Sequence, residues 1–100
     1  MIQVRRTGDG DPLAFEVVVR EGSETRHQVT IARETFARLA AGTQDPERLI
    51  EAAFRFLLDR EPKEAILGRF DVTVIARYFP EFERELPKYL ARQDGRQRTD

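Results

Sequence analysis

The sequence predicts an α+β fold: a three-stranded antiparallel β-meander followed by a short helix, a main helix and short C-terminal helices packed on it. Three observations carry this. Apolar residues alternate over the first 31 positions, the period becomes helical after Ile31, and a strong helix start at Asp45 and Pro46 opens the most apolar segment of the chain.

The strands are read from Ile2 and Val4, then Phe15, Val17 and Val19, then His27, Val29 and Ile31, with polar residues mostly between them. The turns "TGDGDP" and "EGSE" separate them, and both are rich in residues that tolerate tight or left-handed backbone. In "ARETFARLAAG", Phe36, Leu39 and Ala40 share a helical face and Gly42 stands where a C-cap belongs. The main helix is expected from Pro46 to Arg60. Its apolar residues, Leu49 to Leu58, sweep an arc of about 200° at about 100° per residue. A single sheet face cannot cover that arc, so the C-terminal third or another subunit must supply a second cover.

The stretch "RFDVTVIARYFPEFE" alternates like a strand from Phe70 to Tyr78, yet also places Val72, Ile75, Ala76 and Phe79 on one helical stripe. Capping favours the helix. With Asp71 as N-cap, Phe70 and Ile75 occupy the two positions of a hydrophobic staple, and Pro80 ends the segment near Phe79. A last helix carries Phe82, Leu86, Tyr89 and Leu90, interrupted or kinked at Pro87. One domain is expected over residues 1–91, with a frayed tail over 92–100.

Composition narrows the chemistry. The 100 residues hold 17 basic and 18 acidic side chains, a net charge of −1, and no cysteine. Disulfides, thiolate metal sites and cysteine nucleophiles are thereby excluded, and the balance of charge argues against nucleic acid as a partner. The start of the chain lacks the apolar core of a secretion signal, and no run approaches the roughly 18 apolar residues of a membrane span, so a cytoplasmic protein is expected.

No catalytic set emerges, and neither an enzyme nor a cofactor is expected. His27, the one histidine, falls on an apolar strand face without a carboxylate cluster beside it. Asp9 and Asp11 lack the remaining ligands of a calcium loop, and Glu81, Glu83 and Glu85 alternate with cations as on a solvated face. Ser23, the one serine, sits in a turn, and no phosphate-cradling glycine loop occurs. What remains is an aromatic surplus, since seven of nine aromatic residues lie in the second half. Phe56, Tyr78, Phe82 and Tyr89 fall at stripe edges or on the interrupted helix, where aromatic side chains favour a partner interface. The chain is therefore expected to be an interaction or regulatory module with a protein partner or a homodimer.

Two resemblances bear on this. The segments "QVTIARETFARL" and "ERLIEAA" resemble the ribbon-helix-helix family of DNA-binding regulators and antitoxins, which pair a strand with its twin across a dimer and insert it into the major groove. That resemblance implies Arg26, Gln28 and Thr30 as base-contacting side chains. The string "FRFLLDREPKEAILGRFDVTVIARYFPEFEREL" is similar to small uncharacterised bacterial proteins, which implies a free-standing protein and points to no site.

Overall fold

Alternation over the first 31 residues builds the strands β1 (Ile2–Gly8), β2 (Leu13–Glu21) and β3 (Ser23–Ile31), paired antiparallel in order. The structure is a computed structural model that describes the backbone of residues 1–98 and the side chains of residues 1–92. Val4 stands opposite Val17, Val17 opposite His27 and Phe15 opposite Val29, so the apolar set of every strand reaches the same face. Gly22 closes the second hairpin at φ 81°, a left-handed conformation that any other residue would hold at a cost. In the first turn both aspartates are engaged by arginines. Asp9 pairs with Arg6 at 2.7 Å, and Asp11 accepts from the Arg33 backbone N–H at 3.1 Å.

Helix α1 (Arg33–Leu39) is followed by α2 (Pro46–Leu58). Asp45 caps α2 by accepting from the Glu47 N–H at 3.0 Å, and Pro46 is its first residue. Two residues of helix are a rotation of about 200°, so Phe54 and Phe56 point to opposite sides. Phe54 meets the sheet, with ring centroids 5.3 Å from His27 and 6.0 Å from Phe70. Phe56 meets the C-terminal helices, with centroids 5.0 Å from Phe82 and 5.8 Å from Tyr89. Both phenylalanines are fully buried, so the wide apolar arc of α2 forms the middle layer between sheet and helices.

The sheet has four strands rather than three. After a 3₁₀ turn at Lys63–Ala65, residues Arg69–Asp71 form β4, parallel to β3, and the sheet is mixed with the order β1-β2-β3-β4. The Gln28 N–H donates to Gly68 O at 2.8 Å and the Val72 N–H to Thr30 O at 2.9 Å. Helix α3 (Thr73–Tyr78) follows directly, with Val72 already in helical backbone, so the expected helix start at Asp71 is met and the strand occupies the residues up to it. Asp71 still serves the helix start. Its carboxylate accepts from the Thr73 N–H at 3.1 Å and from the hydroxyls of Thr73 and Thr30 at 2.7 and 2.6 Å. Burial alone would raise this carboxyl; the donors from Thr30 and Thr73 outweigh it and hold the group below the usual aspartate range.

Helix α4 (Phe82–Arg98) runs on through Pro87, which is exposed. The tail expected from residue 92 therefore begins as helical backbone, while residues 99–100 lie outside the described residues. Arg60 ties α4 to α2. Its guanidinium carbon lies 3.6 Å from the Phe56 ring centroid, its Nε donates to Glu81 at 2.9 Å and one terminal nitrogen donates to the Tyr89 hydroxyl at 3.3 Å. The Tyr89 hydroxyl donates in turn to Asp59 at 2.6 Å.

A second tie joins the first strand to the start of α2. Arg6 grips Glu47 with two bonds of 2.9 and 2.7 Å, which together with lesser effects hold the Glu47 carboxyl at about 2. A carboxyl whose folded value lies below its unfolded value of 4.5 contributes stability that is complete above 4.5 and lost as pH falls toward 2. With both side chains partly in water, the screened contribution is about 1 kcal/mol. Urea unfolding of the wild type and of Glu47→Gln is expected to differ by that amount at pH 7, to differ less as pH falls below 4.5 and to converge only below pH 2.

Candidate interaction groove

Where α3 leans away from the end of α2, the surface opens into an apolar groove of about 350 Å³. One wall is the end of α2 with the turn that follows it: Leu57, Glu61, Ile66 and Leu67. The other is β4 and α3, which contribute Phe70, Val74, Tyr78 and Phe79. Its deeper residues belong to the core. Leu57, Ile66 and Phe70 are buried, and Phe79 packs edge-on against Phe56 with centroids 5.9 Å apart. Its rim does not. Leu67 is 46% exposed and Tyr78 is 67% exposed, the two largest apolar exposures apart from the terminal Met1.

Local sequence explains both rim positions. In "AILG" the chain is extended at Ile66, so adjacent side chains diverge; Ile66 turns inward and Leu67 turns outward. On α3, Ile75 faces the core and Tyr78 ends the helix just before Phe79 and Pro80 leave helical backbone. The rim is held from beneath by His27. The Nδ1 atom of this buried ring lies 2.8 Å from the carbonyl of Leu67, Nε2 lies 2.8 Å from the Thr25 hydroxyl, and the ring rests on Phe54. Lys63 anchors the same turn to the β2–β3 hairpin, where its ammonium donates to Glu21 O at 3.1 Å.

The charged side chain in the lining is that of Glu61. Glu61 lines the groove on the α2 side, and Arg77 is exposed on α3 immediately before Tyr78. Neither side chain makes an ion pair among the described residues, unlike Glu81, Glu83 and Glu85, each of which is paired with a cation.

The four aromatic residues expected at an interface separate cleanly. Tyr78 is on the rim. Phe56, Phe82 and Tyr89 are 0%, 1% and 6% exposed and pack on one another, so they are core. The correction has a physical cause: Arg60 and α4 close over the outer side of Phe56, which a helical wheel of α2 alone leaves open. Sequence reasoning missed Leu67 and Glu61. The available signal was "IL" before Gly68, a pair of large apolar residues of which an extended chain can bury only one.

The residues that the ribbon-helix-helix resemblance singles out are placed inside a sheet. Along Gln28–Thr30, β3 is bonded to β2 on one side and to β4 on the other, which occupies the edge a twin strand would need. Arg26 is flanked by Glu16 and Glu24, 3.5 and 2.9 Å away, and Thr30 donates to Asp71. No family model, curated protein or solved structure matches the chain. Among the described residues no helix is long and apolar enough to cross a membrane, and no group of three or more His, Asp or Glu side chains could hold a metal ion.

Proposed function

We propose that the protein is a non-enzymatic interaction module that works as a self-associating unit, with the groove between α2 and α3 as the contact face and a second copy of the chain as its occupant. One observation carries this: a hole and a projecting aromatic residue, Tyr78, lie side by side on one surface. A face that presents both is complementary to itself under a two-fold rotation, the commonest symmetry of protein dimers. Tyrosine suits the role because it offers a large rigid area with little conformational freedom to lose.

The test is sedimentation velocity over a wide concentration range. The wild type is expected to form a dimer, and Tyr78→Asp to shift the dissociation constant at least about tenfold toward monomer. Since Tyr78 is exposed, its replacement is expected to change unfolding stability by less than about 0.5 kcal/mol. A wild-type mass of one chain at the highest concentration would sink the proposal.

A further inference from the structure

Beyond self-association, and independently of it, we infer that the groove between α2 and α3 is a binding site for a small organic cation with an apolar body, an alkyl or arylalkyl amine whose ammonium group is held at Glu61. Size and lining come first. A groove of about 350 Å³ lies within the usual range of small-molecule sites, and Ile66, Phe70, Val74 and Phe79 give it the apolar wall that such sites have. Leu67 and Tyr78, both exposed, carry that surface out to the mouth, so an occupant gains apolar contact at the rim as well as below it.

Charge decides the class of occupant. Glu61 is the charged residue of the lining, and the cations next to it in the chain are engaged elsewhere. Arg60 lies over Phe56 and donates to Glu81 and to the Tyr89 hydroxyl, on the side of α2 that meets α4. Lys63 donates to Glu64 at 2.8 Å and to Glu21 O. Glu61 is itself fixed through its backbone, whose N–H donates to Leu57 O at 2.9 Å, while its carboxylate makes no ion pair among the described residues. An apolar body that fills the groove strips water from that carboxylate, and a carboxylate deprived of water without a counter-charge is costly. A positive group on the occupant offsets this cost, a neutral group leaves it in place, and a negative group adds repulsion. Among occupants of equal shape the groove therefore ranks cation above neutral above anion.

Phenylbutylamine, phenylbutanol and phenylbutanoate share one shape and carry a positive, no and a negative charge at neutral pH. Each is titrated into the full chain at a protein concentration where a single species is present, and binding is read from amide chemical shifts by NMR. Shifts are expected at Leu67, Val74 and Tyr78. The amine is expected to bind about threefold or more tighter than the alcohol, the scale of one partly exposed ion pair, and the carboxylate to bind most weakly. Glu61→Gln is expected to bring the amine down to the affinity of the alcohol and to leave the alcohol unchanged, with thermal melts confirming that the variant is folded. An amine that binds the wild type no better than the alcohol, keeps its advantage in Glu61→Gln, or shifts only amides away from the groove would overturn the inference. Sedimentation without ligand reads self-association separately. A monomer that binds the amine in this way removes the dimer and leaves the ligand site; a dimer lost in Tyr78→Asp but indifferent to the amine removes the ligand site and leaves the dimer.

Discussion

Phe56→Ala is expected to destabilise the protein by about 3–5 kcal/mol, the cost of deleting a fully buried phenylalanine and leaving the space it filled. The effect should stand at the upper end of that range, because the ring supports more than its own burial. Phe79, Phe82 and Tyr89 all pack on it, and the Arg60 guanidinium lies against its outer side. Once the ring is gone, Arg60 loses its platform, although its bonds to Glu81 and Tyr89 hold it in place. Urea unfolding at a concentration where a single species is present measures the loss. A change under 1 kcal/mol would show that Phe56 does not join α2 to α4.

His27→Leu is expected to cost about 2–4 kcal/mol even though it enters an apolar site. Leucine has nothing to offer the Leu67 carbonyl or the Thr25 hydroxyl, and each polar group left without a partner costs about 1–3 kcal/mol. The damage should also be directional. The carbonyl that loses its donor belongs to the rim of the groove, so amide hydrogen exchange is expected to rise at Leu67 to Phe70 and to change little along the β1–β2 ladder. His27→Gln keeps a donor and an acceptor and is expected to recover part of the loss. Uniform exchange across the sheet would mean that His27 supports the core as a whole and not this turn.

How much was legible in the sequence follows from which forces are local. The meander and the start of α2 depend on alternation, on turn residues and on Asp45 with Pro46, all of which act within a few residues of chain. β4 is different. Three residues cannot display a period, and what makes Arg69–Asp71 extended is a parallel partner about 40 positions earlier, Gln28–Thr30. The two competing patterns in "RFDVTVIARYFPEFE" were therefore both present in the molecule, one after the other: strand to Asp71, helix from Thr73. Asp71 accepts from the helix start, which local capping preference implies, and also from Thr30 on the neighbouring strand, which no local pattern displays. The candidate site was half legible for the same reason. Tyr78 stands out on a wheel of its own helix, whereas the burial of Phe56, Phe82 and Tyr89 depends on how two helices distant in sequence meet.

β4 also governs the order in which the molecule assembles. The hairpins can form from neighbouring residues, but the groove cannot exist until some 40 residues of intervening chain have folded back and three residue pairs have closed on β3. Until that moment the edge of β3 at Gln28–Thr30 is an open template for any extended chain, and Phe70 is not yet in place beside Phe54. Fastening of one short segment thus covers the stretch of β3 that would otherwise stand open beside the buried core. Conditions that loosen β4 are expected to uncover Gln28–Thr30 and to favour pairing with other extended chains there, so three residue pairs guard that part of the sheet.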